Sequence, residues 1–188
     1  FCNRQIMTHW IRETFADVFK RSADALAMHV VYDVCHNIAK FEEHAVDGGM
    51  KKVCVHRKGA TRAFAAGRKE IPSVYRSVGQ PVIIPGSMGT ASYLLVGTEG
   101  AMVETWGSTC HGAGRTMSRH QAIRDYPAEM VEKDLAAKGI VLRATGKDVI
   151  SEEASGAYKD VSAVVASVQE AGISRIVTRL EPMGVAKG

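Results

Sequence analysis

The chain has 188 residues, 46% of them hydrophobic and 23% charged, which argues against a disordered chain and for one domain with a sizeable core; no apolar run approaches the roughly 18 to 20 residues that span a bilayer. Lysine and arginine exceed aspartate and glutamate by 24 − 20 = 4, a mild bias toward an anionic partner. Cys2, Cys35, Cys54 and Cys110 lie far apart with no Cys-x-x-Cys pair, so neither a disulfide framework nor a structural zinc site is expected, and free thiols fit a reducing cytoplasmic location.

The chain opens at Phe1 without an initiator Met and without a basic-apolar-small leader, a start read as that of a truncated or processed product. Residues 3 to about 28 carry apolar side chains at helical spacing (Met7, Ile11, Phe15, Val18, Leu26), which predicts one long amphipathic helix. The β-branched and aromatic residues of 29–34 then predict a strand ending at Cys35-His36-Asn37. Alternation through Glu42-Glu43-His44, across Asp47-Gly48-Gly49 and on to Val53-Cys54-Val55 predicts a hairpin whose like charges face solvent. His56-Arg57-Lys58-Gly59, with Arg62 close behind, concentrates positive charge at its end and reads equally as a solvated turn or as a path for a phosphate backbone.

Residues 67–79 weaken into a loop, after which Pro81-Val82-Ile83-Ile84 is a short buried strand leading into the turn Pro85-Gly86-Ser87-Met88-Gly89-Thr90, whose glycines expose N–H groups and whose Ser87 supplies a hydroxyl. Residues 91–96 and 102–106 read as strands about a 97–100 turn. Helices follow over 118–126 and 127–138, the second with Pro127 at its start and Gly139 as terminator, then a strand over 140–144. Tyr158 precedes a helix that carries Val161, Val164, Val165 and Val168 on one face and stops at Gly172; a last strand over 173–180 feeds a tail ending in Lys187-Gly188.

Between the strands and the later helices lies Ser108-Thr109-Cys110-His111-Gly112-Ala113-Gly114-Arg115. Gly112 and Gly114 can take positive φ and let successive N–H groups meet one anionic oxygen, Arg115 offers a planar fork for phosphate, and His111 has an unperturbed pKa near neutrality, so its neutral imidazole can attack phosphorus. On spacing alone a Gly-rich turn with a surface histidine is the commoner reading.

These residues, continued by Ser118-Arg119, resemble the signature of the RtcB family of RNA-splicing ligases, and four further stretches match in order: Asp33-Val34-Cys35-His36-Asn37-Ile38-Ala39-Lys40, Val55-His56-Arg57-Lys58-Gly59-Ala60-Thr61-Arg62-Ala63-Phe64, Pro85-Gly86-Ser87-Met88-Gly89-Thr90 and the closing Val185-Ala186-Lys187-Gly188. The resemblance covers nearly the whole chain but only the C-terminal part of the family protein. It implies an α+β fold with mixed or antiparallel sheets, residues 1–188 forming the C-terminal portion of a single catalytic domain. The implied activity is a ligase that joins 2′,3′-cyclic phosphate or 3′-phosphate RNA ends to 5′-hydroxyl ends with GTP and Mn²⁺, two ions, in tRNA splicing and RNA repair. His111 would be the nucleophile that forms a histidine–GMP adduct.

By the same resemblance His36 binds metal, with an aspartate, a cysteine and two histidines supplied from upstream. The nucleotide would be contacted by His36, Asn37, Pro85, Gly86, Ser87, Met88, Ser92, His111, Gly112, Ala113, Gly114, Tyr158 and Lys187, and RNA by Arg57, Lys58, Arg62 and Arg115. The partners expected are GTP and RNA, either tRNA halves or broken RNA, with an activating protein left open. Two other classes compete: a noncatalytic RNA-binding module and a metal-dependent phosphoesterase. Neither needs a nucleophilic histidine inside a double-glycine loop.

Overall fold

The computed structural model describes residues 2–188 and divides into two compact units, one ending at Cys35 and the other running from His36 to Gly188. The first unit consists of helix α1 (Cys2–Phe19) and the segment that follows it. The helix ends nine residues before the expected boundary because Lys20 turns the backbone into the left-handed region at φ 52°. Residues 29–35 form no strand. They return along the unit, where the Arg4 guanidinium meets Asp33 at 2.5 Å and Cys35 Sγ at 3.2 Å, and Arg12 donates to the Met28 carbonyl at 2.7 and 2.9 Å. No described helix is long and apolar enough to cross a membrane.

The second unit opens with the expected hairpin, β1 (Asn37–Val46) antiparallel to β2 (Gly49–Lys58). Asp47 and Gly48 both take positive φ, 52° and 80°, the two-residue turn geometry that matches strand twist. Gly59, also at positive φ, reverses the chain into β3 (Ala60–Arg62). Two strands follow, β4 (Pro81–Ile84) and β5 (Ser92–Gly97).

The expected strand at 102–106 is instead helix α2 (Glu99–Glu104), started by the Thr98 hydroxyl accepting from the Ala101 N–H. That cap settles a stretch whose apolar content alone favoured a strand. Next comes β6 (Ser108–Cys110), which pairs antiparallel with β3. Helices α3 (Arg119–Asp125) and α4 (Ala128–Ala137) lie where expected, α3 capped by Ser118 and α4 followed by Gly139 at φ 73°.

After β7 (Val141–Ala144) come helix α5 (Lys147–Glu152), a short 3-10 turn (Ser155–Ala157), helix α6 (Val161–Glu170), strand β8 (Ser174–Leu180) and strand β9 (Gly184–Lys187). Neither α5 nor β9 is evident from the sequence pattern.

The sheets are small: β4–β5–β8 in an antiparallel trio, β1–β2 and β3–β6 as antiparallel pairs, and β7–β9 parallel. The architecture is the expected α+β mixture. One core lies between the trio and α6, with Val82, Ile84, Leu95, Val161 and Val165 almost fully buried. A second joins α4, α5 and the 88–91 turn through Met88, Val131, Leu135, Ile140 and Ile150. Two cores on either side of the 85–90 loop leave that loop clamped between them.

Candidate active site

His111 follows directly on β6, and β6 is held by β3, which continues from Lys58 through the Gly59 turn. A Cβ added at Gly59 would lie 3.7 Å from the His111 ring, so the turn passes against the imidazole. His36, one residue before β1, lies with its ring parallel to that of His111, centroids 4.7 Å apart and planes 8° apart. The Gly59 N–H donates to the His36 carbonyl at 3.1 Å and ties the start of the hairpin to its end. Partial burial, then the neighbouring His36 and Lys58, push the His111 pKa below its ordinary value. Its neutral form, which has a free ring lone pair, is thereby favoured.

His111, Gly112 and Ala113 form one side of a cavity of about 170 Å³. Pro85, Gly86 and Ser87 form a second side, and Glu153, Tyr158 and Lys187 close it. A wider recess of about 430 Å³ shares Gly86, Ser87 and Lys187 and extends past Met88 and Ser92. The expected contact residues 85–88, 92, 111–113, 158 and 187 therefore line two cavities that share Gly86, Ser87 and Lys187, although they come from five separate segments. Asn37 and Gly114 are exposed and lie outside both cavities, and His36 reaches the site only through its stack on His111.

Local chemistry explains the loop shapes. The Gly86 N–H donates to Ser92 Oγ at 3.1 Å, the Ser87 N–H to Thr90 Oγ1 at 2.8 Å and the Gly89 N–H to Ser155 Oγ at 3.1 Å. A Cβ at Gly86 would collide with the Ala91 carbonyl, so the loop closes this tightly only with glycine there. The expected outward-facing amides of this turn are thus occupied internally. Nor does either Gly112 or Gly114 adopt positive φ, contrary to the cradle expected from their spacing.

The expected RNA contacts divide. Arg57 is a correction: its side chain is 1% exposed and its guanidinium grips Glu42 through two bonds of 2.8 Å, while Nε donates to Ser108 Oγ at 2.9 Å and Nη2 to the Trp106 carbonyl at 3.0 Å. Glu42 and His44, expected to face solvent, lie on the same buried hairpin face, with His44 Nε2 3.0 Å from Glu42 Oε2 and its ring parallel to Trp106. Burial opposes ionisation of Glu42, but Arg57 and His44 outweigh it and hold the carboxyl below its usual range.

Arg62 is half-buried, donating to Gln80 Oε1 at 3.0 Å with its guanidinium 4.7 Å from the Phe64 ring centre. Arg115 is likewise engaged within the chain, at 2.9 Å from Tyr158 Oη and 2.6 Å from the Glu152 carbonyl. Lys58 alone of the four is exposed.

Glu153 is the functional candidate that sequence reasoning missed. It follows α5 in a stretch without periodicity, and only the fold brings it to Lys187, 34 residues on. For a metal, no three His, Cys, Asp or Glu side chains converge among the described residues. These described residues do not build a metal centre by themselves.

Comparison with known proteins agrees with the motifs. The family model described as tRNA-splicing ligase RtcB matches residues 1–188. Proteins named tRNA-splicing ligase RtcB from Archaeoglobus fulgidus and Thermococcus kodakarensis are 62% and 60% identical over the whole chain, which covers 39% of each. The one from Pyrococcus abyssi is 59% identical, with 20% of its length covered. With its whole length matched by the family model and its histidine and glycine loops converging on one cavity, the chain belongs to the tRNA-splicing ligase RtcB family.

Proposed function

We propose that this chain carries the nucleotide-reacting site of an RNA ligase that joins 2′,3′-cyclic phosphate or 3′-phosphate ends to 5′-hydroxyl ends, using GTP and Mn²⁺. The observation that carries the reading is His111 itself, a half-buried imidazole biased toward its neutral form and lining a cavity with the 85–87 loop, Tyr158 and Lys187. In this scheme the His111 ring nitrogen attacks the α-phosphorus of GTP. A nitrogen–phosphorus bond forms, the bond to the bridging oxygen breaks, and pyrophosphate leaves, which divides ligation into easier steps through a covalent adduct. A 2′,3′-cyclic end is first opened by water to the 3′-phosphate; an oxygen of that phosphate takes GMP as the nitrogen–phosphorus bond breaks, and the 5′-hydroxyl then attacks the RNA phosphorus and displaces GMP.

Lys58, exposed beside His111, is the position best suited to an RNA phosphate, whereas Arg57, Arg62 and Arg115 support the fold around it. The internal engagement of those three arginines removes much of the free charge on which a noncatalytic RNA-binding module would depend. Bound Mn²⁺ would supply Lewis acidity, and His36 would be one of its ligands, with the others coming from residues outside this chain.

Incubating the complete protein with α-labelled GTP and Mn²⁺ tests the reading. An acid-labile, hydroxylamine-sensitive label on the protein is expected, and no covalent label would refute it. For His36→Ala, Mn²⁺ affinity should fall by roughly 10-fold or more before labelling fails as a consequence. Titration of Mn²⁺ against that variant checks this, and an unchanged curve would remove His36 from the metal site.

A further inference from the structure

We propose that Glu153 is a positioning residue of the cavity: its carboxylate fixes the Lys187 ammonium and the Tyr158 hydroxyl in the places from which they meet the base end of the nucleotide. The inference rests on the nucleotide reading above for what occupies the cavity, but its geometry is independent of it. Glu153 Oε2 accepts from Tyr158 Oη at 2.9 Å and from Lys187 Nζ at 3.1 Å. Tyr158 Oη in turn accepts from Arg115 Nη1 at 2.9 Å, so its donor and one of its acceptor positions are both engaged and the hydroxyl cannot rotate freely. Arg115 completes the frame, with Nη1 3.5 Å from Glu153 Oε1, Nη2 on the Glu152 carbonyl at 2.6 Å and Nε on the Met117 carbonyl at 3.2 Å.

Lys187 needs such a support. It is the penultimate residue, and side chains at a chain end are ordinarily poorly ordered. Pairing of β9 with β7 holds the backbone, where the Thr145 N–H donates to the Lys187 carbonyl at 3.1 Å, but it leaves the four-carbon side chain free to rotate. Only Glu153 gives the ammonium a fixed direction among the hydrogen bonds of the described residues. Burial opposes the charge on Glu153, yet Tyr158, Lys187 and Arg115 together hold its carboxyl below the usual range, so the acceptor is ionised when the site works.

The charge arrangement also orients the ligand. The Glu153 carboxylate is neutralised by Lys187 and Arg115, while the exposed Lys58 leaves positive charge near His111. Phosphate groups accordingly lie at His111, and Lys187, its charge balanced by Glu153, acts toward the base as a hydrogen-bond donor with two N–H groups still available.

Two measurements on the complete protein test this. In GTP labelling, Glu153→Ala is expected to raise the apparent KM for GTP about 10-fold, the effect of losing one charge-assisted contact, while the rate at saturating GTP stays within about twofold. Glu153→Gln, which keeps an acceptor without charge, should fall between parent and Glu153→Ala. The double variant Glu153→Ala/Lys187→Ala should be no worse than the more impaired single, because the two act as one unit. An unchanged KM, a loss confined to the rate, or single effects that multiply would each overturn the proposal.

The second measurement needs no nucleotide: reductive methylation of Lys187, followed by mass spectrometry, should become several-fold faster in both Glu153 variants. Unchanged reactivity overturns the positioning role even if the parent protein takes no GMP label, an outcome that would count against the ligase reading alone. Glu153→Gln, nearly isosteric, serves if the alanine variant does not fold.

Discussion

Guanylylation of the complete protein is expected to drop by a factor on the order of 10³ or more in His111→Ala, with fold and Mn²⁺ binding retained. Removing the atom that makes the covalent bond leaves positioning groups with nothing to position, and losses of that size are typical when a nucleophile is deleted. His36 does not substitute for it: the ring lies parallel to His111 at 4.7 Å, but it sits before β1, exposed and outside the cavity formed by residues 85–87 and 111–113. The fold should tolerate the change because β6 is secured by its pairing with β3 and by Ser108 on Arg57, all upstream of His111. Labelling with α-labelled GTP alongside far-UV circular dichroism checks both halves of the expectation. Retained label on a folded His111→Ala protein would reassign the nucleophile.

A second large effect is expected at Arg57, in stability. Arg57→Met leaves the Glu42 carboxylate buried without its bidentate partner, and removing one member of a buried pair costs about 3 to 5 kcal/mol. The same substitution releases Ser108 and the Trp106 carbonyl, so the strand leading to His111 loses a tie to the hairpin. Thermal unfolding of the complete protein should show a midpoint lower by several degrees, and Arg57→Met combined with Glu42→Leu should recover the part of that loss due to the unpaired carboxylate, with His44, Ser108 and the Trp106 carbonyl still lacking these partners. A midpoint equal to the parent's would return Arg57 to a solvated or RNA-facing role.

The same pair has a pH signature. Glu42 titrates below its ordinary value of 4.5 in the folded protein, so the stability it contributes is fully present above that value and is lost as pH falls through the depressed one. Acid titration of the parent against Arg57→Met would show this component only in the parent.

Local signals in the sequence determined the elements whose causes are local. Asp47-Gly48 dictated the hairpin turn, Ser118 and Gly139 bounded α3 and α4, and the valine spacing from Val161 to Val168 marked the buried face of α6. The same kind of signal misled at 102–106, where the Thr98 cap outweighed apolar content, and at 29–34, which form no strand despite their β-branched content. Most of the candidate site was legible because its loops are contiguous motifs, 85–88 and 111–113, each with its own composition.

What only the tertiary structure decided concerns partners distant in the chain. Arg57 looks like an exposed basic residue until β6 is placed 51 residues on and Glu42 comes to lie on the same hairpin face; burial then makes it part of the core instead of a phosphate contact. Glu153 carries no signal of its own, since its role depends on Tyr158 and on Lys187 arriving through a parallel β7–β9 pairing that nothing in the terminal residues encodes. Periodicity and turn chemistry report how a segment folds on itself, whereas the charge state and direction of a side chain depend on which remote groups share its burial.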